Sequence, residues 1–370
     1  MAADTNIIKL NSERVWRTYL GGAEIDRWHG AECPKDGEYP EEWFASVTMS
    51  VNTAGEACIE GLATLADAPE TTLKALIDAD PQHYLGVEHV RRYGSSLGFL
   101  TKAIDSLTRL GIQVHPNKTD AMRLLNSPFG KTEAWYIMGV RTVDGEKPHV
   151  YLGFKKGVTK QQLWELFTKQ DTAGMLDCLH RIEVMPGDMY IINGGVPHAI
   201  GKGCFLIEVQ EPTDYTFRLE KTAPSGVELS EEFMTHDLGF EKMFDCFDYT
   251  TYTREEVLDM WKVVPKVRNL GGAEHITLLG SDTTDLFGMV MADASEPCKI
   301  SLDDSFAVAI MLEGEGWLCK GENKIHLRQG ETAFLPIYVK EIELKLSQCS
   351  CAKLVLCFPP RTLDKKMSKL

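Results

Sequence analysis

Several features are scarce in this chain of 370 residues, and each scarcity closes off a class of function. Apolar runs stop at about six residues, as in Ala307 to Leu312, far short of the ~20 a membrane-spanning helix needs. The first twenty residues interleave Asp4, Lys9, Glu13, Arg14 and Arg17 with apolar ones and hold no stretch of signal-peptide length, so a soluble, cytoplasmic protein is expected. Basic residues are outnumbered, 39 Lys and Arg against 54 Asp and Glu, for a formal charge of −15. Such a surface repels polyanions, so neither nucleic acid nor an anionic membrane is expected as a partner. The ten cysteines form no Cys-x-x-Cys pair and are expected mostly as buried reduced thiols, with Cys349 and Cys351 packing on one strand face. There is no low-complexity tract and no long charge block, so nothing argues for disorder. The terminal Ser368-Lys369-Leu370 spells a peroxisomal address, read here as coincidence.

The length supports about two domains with ample core, at roughly 100–200 residues each. Helical spacing is confined to Glu70–Leu85, Thr119–Leu125 and Thr159–Cys178. Most of the rest reads as short strands broken by Gly, Pro, Asn or Asp, which predicts a mainly β sandwich or barrel with helical decoration. An internal repeat points to two barrels. Arg181 to Asn193 lines up with Lys324 to Pro336, 143 positions further on, and both read as strand, Gly-acid turn, strand. The turn is expected to close a hairpin. The boundary falls in the charged stretch Thr253–Asn269, ending in Gly271-Gly272, which gives domains 1–255 and 256–370.

Chemistry needs clustered donors. Along the strand-like Ile112 to His115, alternation sends Gln113 and His115 to one face, where an amide oxygen and an imidazole could meet one ion. Lys131 and Glu133 again share a strand face, and His198 follows a Gly-Gly-x-Pro turn just past the first repeat. Gln113, His115, Glu133 and His198 together would make a mixed nitrogen and oxygen site for Zn²⁺ or a related divalent ion. A structural His and Gln at a strand end is the plainer alternative for the first pair. At the position equivalent to His198 the second repeat has Glu341, so the second barrel is expected to bind no metal.

These runs resemble the type I mannose-6-phosphate isomerases, a two-cupin metalloenzyme family, in its compact bacterial form. The matching blocks are Gln113-Val114-His115-Pro116, Gly130 to Tyr136, Pro186-Gly187-Asp188, Val196 to Gly203 and Ile207 to Leu219, in the family's order over about 110 residues. The resemblance implies two cupin (jelly-roll) barrels, one zinc per chain on Gln113, His115, Glu133 and His198, and a sugar phosphate as the small-molecule partner. It further implies interconversion of mannose 6-phosphate and fructose 6-phosphate through an enediolate, with Arg218 and Lys131 acting at the substrate. Lys202, Glu211 and Asp214 are expected near the substrate, and metal-bound hydroxide, Glu211, Asp214 and Lys131 are all candidate bases. The chain departs from the family at Gly111, where the family has serine near the phosphate, and at Leu219 to Pro224. These departures keep two alternatives open: an isomerase of another or a non-phosphorylated sugar, and a sugar-binding cupin without turnover.

Overall fold

A computed structural model of the chain describes residues 6–52, 60–269, 272–347 and 351–361. Cys349, Gly271 and the Ser368-Lys369-Leu370 tripeptide lie outside the described residues. The fold is mainly β, in four sheets. A six-stranded and a seven-stranded sheet enclose one core, where Ile104, Trp135, Ile137 and Leu206 meet Val150, Leu152, Ile182 and Ile200. An eight-stranded and a four-stranded sheet enclose another, where Ala309, Leu354 and Leu356 meet Leu318, Leu327 and Ile342. The seven- and eight-stranded sheets then pack back to back through a third core, with Ala134, Ile207 and Val209 against Met289, Ile310, Phe334 and Val355.

This stacking explains the apolar runs. A strand buried on both faces has no solvent side to mark with polar residues. In the strand Ala307–Glu313, Ala307, Ala309 and Met311 face the second barrel's core while Val308, Ile310 and Leu312 face the first barrel.

The repeat is present in both barrels, but its turn does not close a hairpin. Leu179–Glu183 pairs with His149–Lys155 in the six-stranded sheet, whereas Met189–Ile192, just past the turn, pairs with Glu133–Val140 in the seven-stranded sheet. Asn323–Arg328 and Thr332–Leu335 are divided in the same way between the four- and eight-stranded sheets. Each turn is thus a corner that carries the chain from one wall of its barrel to the other, and Gly187 and Gly330 supply the positive φ, 91° and 85°. Two of the predicted helices are broken. The segment Glu70–Leu85 divides into Leu73–Ala79 and Pro81–Leu85, because Pro81 lacks the N–H to continue and Asp80 caps the second piece. Thr159–Cys178 divides into Lys160–Lys169 and Thr172–Asp177 at Gln170, whose φ is 51°. Lys118–Leu125 forms as one helix behind the Asn117 cap. Cys351 is exposed and precedes the strand Ala352–Phe358, so it does not pack within it. No described helix is long and apolar enough to cross a membrane.

The two barrels exchange strands. Ile8–Asn11 lies in the second barrel's eight-stranded sheet, paired with Thr332–Leu335, and Lys9 bonds Glu331 at 2.7 Å. Lys262–Val263, beyond residue 255, pairs with Met189 and Tyr190 in the first. Leu10 is buried in the core between the barrels. Leu10→Ala should therefore cost about 2–4 kcal/mol, read as a lower urea midpoint, although Leu10 is far in sequence from the strands it covers.

Candidate metal centre and substrate cleft

Period-two alternation divides the seven-stranded sheet into an apolar face toward the second barrel and a face toward its own barrel's interior. On the interior face, Ile104, Trp135, Ile137 and Leu206 fill one end. The same strands place Lys102, Glu133 and Glu208 at the other end, all buried. Charged side chains survive there only because each finds a partner.

Three loops stack to bring the ligating groups together. A Cβ on Gly130 or on Gly194 would lie 2.7 Å from the Pro116 carbonyl oxygen, so only glycine lets these loops close on the turn after His115. The result is a fully buried cluster of His115, Glu133 and His198, whose ligating atoms lie within 4.8 Å of one another. His115 Nε2 is 3.0 Å from Glu133 Oε2, and His198 Nε2 is 3.2 Å from Glu133 Oε1. Gln113 sits opposite His198 across adjacent strands, its side-chain amide 3.1 Å from His198 Nε2.

The donor set fits a divalent metal ion. His115 Nδ1 donates to the Tyr215 carbonyl at 2.8 Å and His198 Nδ1 to the Val196 carbonyl at 2.9 Å. Each bond fixes the proton on Nδ1 and turns the Nε2 lone pair inward, as a metal ligand requires. Burial, reinforced by Lys131, pushes the His115 pKa down to about 3, so the ring stays neutral. Burial alone would raise the Glu133 carboxyl, but Lys131 outweighs it and holds it well below the usual carboxylate range. Rotating the Gln113 amide by half a turn offers its oxygen at the same point. Trp135 Nε1 donates to Glu133 Oε1 at 3.1 Å and so orients the carboxylate. Lys131 Nζ lies 2.8 Å from His115 Nε2 and 3.1 Å from Glu133 Oε2, so a metal ion would compete with it for these lone pairs.

Beside this cluster opens a cleft with about 590 Å³ of empty space, its open mouth included. Lys131, Arg218 and Asp214 line it. Asp214 is tied to Arg17 at 3.3 Å; burial raises its carboxyl, but Arg17 outweighs this and holds it below its ordinary value. Glu211 does not line the cleft. Its carboxylate accepts the backbone N–H groups of Gly130 and Thr132, so it shapes the loop that carries Lys131. Lys202 is not brought to the site at all: it is partly exposed on a turn and paired with Asp144 and Glu146. At Gly111 a Cβ would meet nothing nearer than the Glu220 carboxylate, 3.9 Å away. Glu220 itself grips Arg109 with both oxygens and accepts the Ile112 N–H.

The sequence reading missed a group of cleft residues, Arg17, Glu41, Lys102 and Glu208. Arg17 meets Glu41 at 2.9 Å, Lys102 meets Glu41 at 3.6 Å, and Lys102 meets Glu208 at 3.1 Å, all with side chains less than a tenth exposed. Burial would raise the Glu41 carboxyl, but Arg17 and Lys102 bring it to about 2, whereas burial and nearby Glu133 push the Glu208 carboxyl up. The available signal was a charge inside a mostly apolar strand, Lys102 in Leu100–Asp105 and Glu208 in Cys204–Gln210. Their pairing was not readable, because it joins strands about a hundred residues apart.

Comparison with known proteins bears on this geometry. Residues 26–132 match the family model "Phosphomannose isomerase type I, catalytic domain", and residues 281–355 match "Mannose-6-phosphate isomerase, cupin domain". The chain belongs to the type I phosphomannose isomerase family. The mannose-6-phosphate isomerase ManA of Bacillus subtilis (strain 168) is 26% identical over 68% of this chain and 73% of its own length. The mannose-6-phosphate isomerase of Streptococcus mutans is 25% identical over 70% and 76%. Among solved structures, the mannose 6-phosphate isomerase from Bacillus subtilis superposes with a TM-score of 0.72 at 22% identity, covering 95% of this chain and 99% of that one. A zinc-bound mannose 6-phosphate isomerase superposes at 0.69 with 16% identity, over 96% and 100%. These two likenesses establish the shared fold of the phosphomannose isomerases.

Elemental analysis of the purified protein should find about one divalent ion per chain. His198→Ala should lose that ion on dialysis, because it removes one of the two imidazole ligands. Glu341→Ala should keep it: Glu341 is exposed on the second barrel and, among the described residues, ion-pairs only with Lys299, at 3.4 Å.

Proposed function

We propose that the chain is a zinc-dependent aldose–ketose isomerase that interconverts mannose 6-phosphate and fructose 6-phosphate through an enediolate. In this reading the barrel within residues 1–255 does the chemistry, and residues 256–370 form a metal-free barrel that backs it. The observation that carries the reading is the junction of three buried ligands with a cleft that also presents Lys131 and Arg218. The names of the relatives agree with it, as does the family.

The reaction moves a proton between C1 and C2 while negative charge develops on O1 and O2. It needs a positive environment for that charge and a group to hold the proton. A zinc ion held by Gln113, His115, Glu133 and His198 would supply Lewis acidity toward those oxygens. Lys131 and Arg218 add fixed positive charge, and Arg218 is suited to an oxyanion because its planar fork presents several N–H donors. Of the two bases first considered among the acids, Glu211 is spent on backbone N–H groups and Asp214 on Arg17. Glu208 also lines the cleft; although it meets Lys102 at 3.1 Å, burial and nearby Glu133 push its carboxyl up where Arg17 holds that of Asp214 down, so Glu208 is the carboxyl better suited to hold the proton.

A second reading, turnover of a non-phosphorylated sugar, draws on one wall of the cleft. There Leu110, Gly111, Ala223 and Leu229 are uncharged, and the nearby acid Glu220 would not welcome a phosphate. A coupled assay with mannose 6-phosphate and with free mannose separates the two. Turnover of mannose 6-phosphate, lost in Glu208→Gln by at least about a hundredfold with the metal retained, is the expected result. Turnover of mannose alone establishes the second reading, and no turnover with tight sugar binding establishes a binding protein.

A further inference from the structure

Three of the cations that line the cleft sit against carboxylates. Arg17 meets Glu41 and Asp214, Lys102 meets Glu41 and Glu208, and Lys131 meets Glu133. Arg218 differs. Among the described residues no carboxylate lies within ion-pair distance of it, and Asp214 acts on it only from further away. Its guanidinium instead lies over the ring of Phe233, with 4.1 Å from the central carbon to the ring centroid. One of its nitrogens donates to the Thr216 carbonyl at 2.9 Å and reaches the Phe233 carbonyl at 3.5 Å.

We propose that Phe233 is a positioning residue that stands where a counter-carboxylate would otherwise be, holding Arg218 in the cleft with its charge unspent for an anionic group of the substrate. The inference rests on the reading of Arg218 as the substrate's anion contact.

The physical argument compares two ways of holding a buried guanidinium. A carboxylate would hold it more strongly, but would neutralise it and compete with any incoming anion. An aromatic face attracts the cation through its quadrupole and fixes the plane of the fork, yet transfers no negative charge to it. Two carbonyls engage only one of the nitrogens, which leaves the other N–H donors for a ligand. The cost of leaving the charge unpaired is visible: burial lowers the Arg218 pKa to about 10, which still keeps it charged at neutral pH. The support for Phe233 is local. It lies on the short helix Glu231–Thr235, capped by Ser230, and His236 at the end of that helix accepts the Thr216 N–H at 3.0 Å. Helix and strand Phe217–Arg218 are thereby tied together, with the ring and the guanidinium on facing sides. Phe233 is only half-buried and stands outside the buried core, so removing its ring takes little from the fold.

The test uses inorganic phosphate as the probe, by calorimetry on the metal-loaded protein, beside steady-state turnover of mannose 6-phosphate. Phe233→Leu should weaken phosphate binding about five- to thirtyfold and lower kcat/KM for mannose 6-phosphate by a similar factor, as expected for loss of a desolvated cation–π contact that holds Arg218. Phe233→Tyr, which keeps the ring, should stay within about twofold of wild type, and neither variant should change metal content. Should Phe233→Leu prove insoluble, Phe233→Met carries the same expectation. Wild-type phosphate affinity in the folded leucine or methionine variant overturns the proposal. So does a tyrosine variant as impaired as the leucine one, or a wild type that binds no phosphate. If the wild type binds phosphate through Arg218 and Phe233 but isomerises nothing, the isomerase reading fails and this one stands. If turnover is normal and indifferent to Phe233→Leu, the reverse holds.

Discussion

The chemistry of this molecule depends on a sheet that is buried on both faces. The seven-stranded sheet shields one face against the second barrel through Ala134, Ile207 and Val209, and turns the other toward its own barrel's interior. Water reaches neither face freely, so each polar group on the inner face must be answered by another. This requirement turns Lys102, Glu41, Glu208, Arg17 and Asp214 into a chain of contacts and gives the cleft its fixed charges. The second barrel meets the same constraint by having almost nothing polar inside. Its core among the described residues is Ala, Leu, Ile, Val and Met with Cys298, and its eight-stranded sheet packs against the first barrel's back.

Within that frame two kinds of charged residue are kept apart. The two imidazoles are oriented by neutral partners, the carbonyls of Tyr215 and Val196. Such partners orient a lone pair without occupying it. Arg218 is treated in the same way, by a ring and two carbonyls. Arg17, Glu41 and Asp214, by contrast, are satisfied by one another and serve to shape the cleft. Read this way, a buried charge that lacks an opposite charge is the stronger sign of a place where a ligand binds.

Much of the site was legible from short motifs. Gln113 and His115 alternate onto one face, and the Gly-Gly-x-Pro turn aims His198 at them, because both relations lie within a few residues. Lys202 and Glu211 lie away from the cleft for the opposite reason. Each lies in a block that resembles the family, but its partners, Asp144 and Glu146 for one and the Gly130 and Thr132 amides for the other, come from distant loops. The repeat was visible, and its Gly-acid turns were real. Whether such a turn pairs its two strands or parts them depends on neighbours 25 to 59 residues away, His149–Lys155 and Glu133–Val140, and alternation carries no record of that.

By itself, then, the sequence determined a mainly β chain with a repeated strand-turn-strand unit, one repeat armed with ligand residues and the other with Glu341. It also set the absence of any long apolar run and the scattered cysteines. Only the tertiary structure decided that the strand of residues 8–11 completes the far barrel, that Arg17 and Lys102 join the cleft, and that Arg218 rests on Phe233. Local patterns follow from the period of a strand, which any short stretch displays. Pairing between buried charges follows from which strands become neighbours, and that is settled only when whole sheets close on each other and exclude water.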